Sequence, residues 1–208
     1  MAEPETIAVA ISAFFENGPS AKRLFGKKVL ITAGPTYEAI DPVRFIGNHS
    51  SGKMGLALAN EFAIRGARVT LVAGPGVPPP RNPAITTIRI ESAADMYDAC
   101  LRQFPDSGIV IMAAAVADYT PAVKSDKKVK KSDAAFILEL VKTKDILAEM
   151  GKQKKPGQLL AGFALETDNE MANALQKLKN KNLDLIILNS MNDAGAGFHS
   201  DNNKITII

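Results

Sequence analysis

Residues 47–54 read Gly-Asn-His-Ser-Ser-Gly-Lys-Met, one residue short of the G-x-x-x-x-G-K-[ST] pattern. In that pattern free backbone N–H groups at a helix start surround a phosphate, Lys adds charge, and a final hydroxyl ligates magnesium. Met54 stands where the hydroxyl belongs. The loop also begins well downstream of the nearest apolar strand, and no acidic residue directly follows Ile109–Ala113 to complete a metal site. A P-loop hydrolase is therefore disfavoured. An anion site at Ser50, Ser51 and Gly52 stands beside the plainer reading, a Ser/Gly helix cap without a ligand.

Other reactive residue types narrow the field further. Gly52–Gly55 is not G-x-G-x-x-G, and Tyr119 and Lys124 are five apart rather than four, so a dinucleotide dehydrogenase fits poorly. His49 and His199 lack Cys or His partners at metal-ligand spacing, and no protein-built metal centre is expected. Cys100 falls in the middle of an expected helix and reads as a packed residue. Lys124, Lys127, Lys128, Lys130 and Lys131 share one polar segment with Ser125, Asp126 and Ser132. Taken alone, such a run reads as a solvated loop.

These residues need a scaffold that delivers loops to one edge. Val29–Ala33, Val69–Ala73 and Ile109–Ala113 are short, uniformly apolar runs of the buried-strand kind. Ala84–Ile90, Phe136–Val141, Leu159–Ala164 and Leu185–Leu188 extend the series, and Lys204–Ile208 is a late strand. Helices are expected over Lys53–Arg65, from Ser92 to about Phe104, near Asp145–Lys152 and near Asn169–Lys181. This alternation implies an α/β, Rossmann-like three-layer sandwich with a mostly parallel sheet and a late strand or hairpin extension. Ligands bind such sheets at the carboxyl ends of the strands. The segments after Ala33, Ala73, Ala113, Ala164 and Leu188 should therefore face the site.

The bulk properties agree with an ordinary enzyme domain. The 208 residues are 46% hydrophobic and 23% charged, enough for a substantial core. A net charge of +3 is too small an excess for a dedicated nucleic-acid binder. One cysteine excludes an intrachain disulfide, and no apolar stretch reaches the ~20 residues that span a bilayer. A soluble, cytoplasmic protein with no nucleic-acid or membrane partner is expected. Residues 1–26 read as a helix, Ile7–Phe15, and a linker at Gly18-Pro19-Ser20, ahead of a domain over residues 27–208.

Several blocks, in order, resemble the signature of bacterial phosphopantothenoylcysteine synthetase, the synthetase half of the bifunctional coenzyme A biosynthesis flavoprotein. They are Ile31–Thr36, Asp41–Ile46, Asn48–Gly55, Ala113–Tyr119, the Lys-x-Lys-Lys of Lys128–Lys131, Gly162–Thr167, Lys181–Asn189 and Gly197–Asn203. Met1–Glu5 is similar to the close of the upstream flavin-dependent decarboxylase half, so residues 1–26 would be the junction. FMN belongs to that half alone, and its flavin-binding body is absent here. The family usually continues into a further helical segment beyond Asn203.

The resemblance implies a homodimeric ligase, normally fused to that decarboxylase, that joins 4′-phosphopantothenate to cysteine. CTP activates the carboxylate as an acyl-cytidylate with release of pyrophosphate, and the cysteine amine then displaces CMP. Magnesium would be held mainly by phosphates. A nucleotide-binding fragment without turnover, and a P-loop-like phosphohydrolase, are the alternatives.

Residue roles follow from the same resemblance. Asn48 matches the Asn that binds the acyl-cytidylate, Arg44 a bidentate anion holder, and Lys128 the lysine needed to form the intermediate. Lys128 would sit on a flap that closes over substrate. Met112, Ala113 and Ala114 match a backbone wall beside the nucleotide. Asp118 would address the ribose or a magnesium-bound phosphate, and Phe163 the base. Lys177 and Lys181, four apart, match nucleotide-contacting lysines. Val141, Lys142, Thr143 and Lys144 match a nucleotide-side segment, although relatives often have Asn-Pro after the Lys.

Overall fold

The computed structural model describes residues 24–130, 136–166, 168–190 and 204–208. The expected helix at Ile7–Phe15, Lys131, Ser132 and the Gly197–Asn203 block lie outside the described residues.

Strand β1 (Lys28–Ala33) leads into a small antiparallel ladder of β2 (Tyr37–Ala39) and β3 (Phe45–Gly47), then helix α1 (Lys53–Ile64). β4 (Arg68–Ala73), β5 (Thr86–Arg89), α2 (Ala93–Gln103) and β6 (Ile109–Met112) follow. A second ladder pairs β7 (Tyr119–Pro121) with β8 (Leu140–Lys142). The chain continues through α3 (Ile146–Gln153), β9 (Leu159–Glu166), α4 (Glu170–Asn180), β10 (Leu185–Ser190) and β11 (Ile205–Ile207).

Seven strands form the main sheet in the order β11-β10-β9-β6-β1-β4-β5. All neighbours are parallel except β10 with β11, whose antiparallel pairing sets Ile187 opposite Ile207. The three-layer reading and the late edge strand are thus correct. From β1 the chain builds outward to β5 on one side, then returns to lay β6 on the other. The ends of β1 and β6 therefore flank the point where strand order reverses, which is where such sheets open a ligand crevice.

Successive β1 residues face different helical layers. Val29 and Ile31 join Ala59 of α1, Leu71 and Ala161, whereas Leu30 joins Met96, Cys100, Val110, Leu160 and Ile186 under α2, α3 and α4. Both faces are covered, which is why the strand sequences show apolar runs rather than alternation. Helix α2 opens on a capping box. Ser92 Oγ accepts from the Asp95 N–H at 3.1 Å while Asp95 Oδ2 accepts from the Ser92 N–H at 3.0 Å, a pairing worth about 1 kcal/mol. Cys100 is fully buried in α2, and burial pushes its thiol pKa up to about 12, so it packs and does not react.

One expected strand is different. Phe136–Val141 does not enter the main sheet: only Leu140–Lys142 pairs, antiparallel to Tyr119–Pro121, and Phe136 and Ile137 are exposed. An apolar run tells that side chains want cover, not which layer supplies it.

Candidate functional site

The end of β1 is drawn against the start of the next segment by close backbone approach. Gly55 lies on β1 so tightly that a Cβ would stand 2.6 Å from the Thr32 carbonyl. Gly52 adopts φ 69, and a Cβ there would meet Val77 at 2.6 Å and the Gly34 nitrogen at 3.1 Å. Only glycine serves at both positions. They press the start of α1 onto the β1 turn. That helix begins without a side-chain cap. Ser50 Oγ accepts from the Gly52 N–H at 3.3 Å, and Ser51 Oγ lies 3.5 Å from the Lys53 N–H, at the limit of a hydrogen bond. Ser50, Ser51 and Gly52 thus form a compact turn at a helix start, beside the switch point, with serine hydroxyls facing the Gly52 and Lys53 N–H groups.

The segment after β6 is stitched to the same turn. The Ala114 N–H donates to Thr32 Oγ1 at 3.1 Å, the Ala115 N–H to the Gly34 carbonyl at 2.9 Å, and the Ala117 N–H to Thr36 Oγ1 at 3.0 Å. Both threonines are wholly buried, so their hydroxyls act as fixed acceptors that hold the wall Met112, Ala113 and Ala114 in place. Asn48 joins this network, its Nδ2 donating to the Val116 carbonyl at 2.9 Å. Thr143 arrives from the far side of the chain. Its N–H donates to the Asp118 carbonyl at 2.9 Å and its Oγ1 to the Ala117 carbonyl at 2.7 Å. Asn48, Asp118 and Thr143 therefore converge on one short stretch of backbone. Asp118 itself is exposed at its outer end.

A groove of about 570 Å³ shares Lys142, Thr143 and Lys144 with this region and is completed by Tyr37, Tyr97 and Lys124. Asn48, Ser50–Gly52 and Phe163 stand outside it, so the groove is separate from the turn at the start of α1. Lys144 reaches away over the Tyr97 ring at 4.7 Å, a cation–π contact, while Val141 is exposed.

Phe163, Lys177 and Lys181 form a neighbouring group. Gly162 pairs with Met112 across β9 and β6, which sets Phe163 beside the Ala113 wall. Lys177 Nζ donates to the Phe163 carbonyl at 2.7 Å, and Lys181 Nζ pairs with Asp145 at 2.9 Å. Lys181 lies one residue past the end of α4. Burial raises the Asp145 carboxyl, but the Ala148 N–H, Lys181 and Lys177 together pull it below its ordinary value.

Arg44 behaves differently from the expectation of an external anion holder. Its guanidinium grips Asp41, through Nε at 3.0 Å and through Nη2, and Nη2 also donates to the Val129 carbonyl at 2.8 Å. The Phe136 ring lies 5.9 Å from the same group. Arg44 keeps Asp41 well below the usual carboxylate range against the opposing effect of burial, with the Val43, Val129 and Arg44 amides adding to it. Val129 borders Lys128 on the polar segment, which also docks by the Ser125 N–H on the Ile40 carbonyl at 2.9 Å. Lys128 is exposed. The segment expected as a flap forms a strap whose backbone contacts the β2–β3 turn, with the Lys128 side chain exposed.

A family model for the C-terminal domain of DNA/pantothenate metabolism flavoproteins matches residues 24–208. The chain belongs to this family. Among solved structures it resembles a crystal structure of the C-terminal domain of the coenzyme A biosynthesis bifunctional protein CoaBC. That match has 40% identity and a TM-score of 0.71, over 89% of this chain and 87% of that one. It is 50% identical over 206 residues to the coenzyme A biosynthesis bifunctional protein CoaBC of Bacillus subtilis (strain 168), covering 99% of this chain and 50% of that protein. It is also 53% identical to a cysteine/cysteine sulfinic acid decarboxylase from an unknown prokaryotic organism, over 100% of this chain and 58% of that protein. The chain thus spans about half the length of the curated relatives it matches.

Within this flavoprotein C-terminal domain, the residue that sequence reading passed over is Asp41. It stands in the Asp-Pro-Val-Arg run that carried the resemblance, yet only the structure reveals its burial and its link to Val129. An Asp followed by Pro with backbone N–H groups two and three residues on is a turn signal, and that much was legible.

Proposed function

We propose that the chain is a phosphopantothenate–cysteine ligase that uses CTP. The phosphopantothenate carboxylate attacks the α-phosphorus, the bond to the bridging oxygen breaks, and pyrophosphate leaves. The cysteine nitrogen then attacks the acyl carbon and loses a proton as CMP departs. Acyl phosphate formation is needed because a carboxylate has no good leaving group.

The observation that carries this reading is the convergence of Asn48, the 113–118 backbone and Thr143 on the switch point, beside the uncapped start of α1. Anionic substrates meet helix-terminal amides there, and a neutral amide that both donates and accepts suits an acyl-phosphate oxygen. In this scheme Lys128 answers charge that builds on the triphosphate, and Asn48 holds the acyl-cytidylate. Asp118 addresses the ribose or a magnesium-bound phosphate. Phe163 meets the base, and Lys177 and Lys181 exchange their present partners for phosphate. Arg44 acts through the strap. Magnesium would travel as a passenger of the triphosphate, where it neutralises charge.

The relatives named for coenzyme A biosynthesis support this scheme. The relative named as a cysteine/cysteine sulfinic acid decarboxylase is covered over 58% of its length, and its name is not carried over. No helix among the described residues is long and apolar enough to cross a membrane, and Val43, Phe45 and Val123 are exposed apolar side chains of the kind a second copy would cover in a homodimer.

One coupled assay tests the reading: pyrophosphate release from CTP or ATP, with and without phosphopantothenate and cysteine. Pyrophosphate that depends on the acid, with CMP release that depends on cysteine, is expected with CTP. Nucleotide binding without turnover would leave a non-catalytic domain, and nucleoside diphosphate formed without the acid would make it a hydrolase.

A further inference from the structure

Asp41 has no part in the bond-making steps above, yet its carboxylate is completely buried. Oδ1 accepts from the Val43 N–H at 2.8 Å and the Arg44 N–H at 2.9 Å, closing the β2–β3 turn locally. Oδ2 accepts from Arg44 Nε and Nη2 and, across 88 residues of sequence, from the Val129 N–H at 3.1 Å. Arg44 Nη2 then returns to the Val129 carbonyl. Val129 is therefore held on both its N–H and its carbonyl. The N–H in question belongs to the peptide that joins Lys128 to Val129.

A turn needs only Oδ1. Oδ2 is shared between the Arg44 guanidinium and the Val129 N–H, the one donor that comes from a distant segment, and a buried carboxylate stripped of such donors would be left under-paired at high cost. Besides the Ser125 N–H bond to the Ile40 carbonyl, the strap is thus held at Val129, immediately beside Lys128. The exposed Lys128 ammonium has no hydrogen-bond or ion-pair partner among the described residues, so its reach depends on where its backbone is fixed.

We propose that Asp41 is a positioning residue: it pins the Lys128–Val129 peptide to the β2–β3 turn and so sets where the Lys128 ammonium meets the nucleotide. The inference rests on the ligase reading for its chemistry, but its mechanical half can be measured without turnover.

The test uses the full chain with CTP, phosphopantothenate and cysteine. D41N is expected to lower kcat for pyrophosphate release about a hundredfold, the scale of one misplaced charge-stabilising group, while the KM for cysteine changes less than about twofold. Tryptic cleavage within residues 124–130 should rise about tenfold, with sites outside the strap unchanged, because only local opening is made easier. A double-mutant cycle with K128Q supplies the readout that a merely structural role would not move. On the K128Q background D41N should cost less than about twofold more, since both act through one side chain. Losses that multiply would overturn the proposal. If D41N fails to fold, V129P removes the single strap amide that Asp41 holds, and the same kcat loss is expected, with the rise in strap cleavage read at Lys124 and Lys127 because trypsin does not cut a Lys–Pro bond. Wild-type kcat or unchanged strap cleavage in V129P would overturn it equally. Absence of substrate-dependent pyrophosphate from the unsubstituted chain would sink the ligase reading alone, whereas unaltered strap cleavage would sink the tether alone.

Discussion

The two lysine groups around the crevice are built on opposite plans. Lys177 and Lys181 come from the end of a regular helix and spend their ammonium groups on the Phe163 carbonyl and on Asp145. Lys128 comes from a strap whose backbone is fixed at Val129 by Asp41 and Arg44 while its side chain stands exposed. In one region the head is committed and the chain is held by a helix. In the other the chain is tied and the head is open. A lysine whose head must first leave a partner pays part of its attraction for phosphate in that exchange, so it contributes more to holding nucleotide than to the transition state. A lysine with an open head on a placed backbone answers charge as it develops.

The largest expected effect separates the two plans. Lys128→Gln should reduce pyrophosphate release by roughly a thousandfold in kcat, at the upper end for loss of one group aimed at developing charge. Lys177→Gln should instead act mainly on the KM for CTP, by about tenfold, as loss of one charge-assisted contact made in ground and transition states alike. Steady-state titration of CTP at saturating acid and cysteine reads both. If Lys177→Gln strikes kcat and Lys128→Gln strikes KM, the contrast between the regions is wrong in direction.

Asn48 lies on the boundary between the regions and tests the second half of the reaction. Asn48→Asp replaces a donor with a carboxylate facing both the Val116 carbonyl and the acyl-phosphate. CMP release should fall about a hundredfold while pyrophosphate release persists for one turnover. Rapid quench and chromatography should then show the acyl-cytidylate accumulating. Loss of the pyrophosphate burst itself would move Asn48 into the activation step, next to Lys128.

The sequence exposed the sheet well and the tethers poorly, for a physical reason. Val29–Ala33 and Ile109–Met112 are buried on both faces, and such runs are visible as composition. The helix from Lys53 was visible in its apolar spacing, and the start of α2 in the cap chemistry of Ser92. The Phe136–Val141 run was read as a sheet strand because apolar character carries no address. The resemblance gave Arg44 as an anion holder but not its neighbours: Asp41 is three residues away, whereas Val129, the other partner of its guanidinium, is distant in sequence. Site residues followed from resemblance. The links between them required coordinates, since each joins segments that are distant in sequence.

Thr143 refines the comparison at a smaller scale. Its hydroxyl reaches the Ala117 carbonyl and its amide the Asp118 carbonyl. Thr143→Val keeps the shape and removes one hydrogen bond, a loss of about 1 kcal/mol. If the bond matters most for presenting Asp118 and the Ala113 wall, that loss appears as roughly a fivefold rise in the KM for CTP with kcat unchanged. A fall in kcat instead would tie Thr143 to the strap side of the crevice.

The smallest effect has the opposite sign. Asp145 caps α3 through the Ala148 N–H at 2.9 Å and also holds Lys181. Asn is as good a cap as Asp, so Asp145→Asn preserves the helix start while releasing the lysine. The carboxylate is half exposed and Lys181 a quarter exposed, so the pair is worth only about 0.2–1 kcal/mol. Because that energy is spent before nucleotide arrives, Asp145→Asn should tighten CTP binding by about 1.4- to fivefold rather than weaken it. The sign also sets a pH dependence. Asp145 titrates below its ordinary value of 3.8, so its hold on Lys181 is fully present above that value and is lost as pH falls through the lowered one. Variant and parent should bind CTP with the same difference at neutral and mildly acidic pH and converge only below that range, as equilibrium titration at fixed ionic strength would register. A weaker variant at neutral pH would mean that Asp145 presents Lys181 to the nucleotide instead of competing for it, and the helix-borne lysines would then be as well placed as the one on the strap.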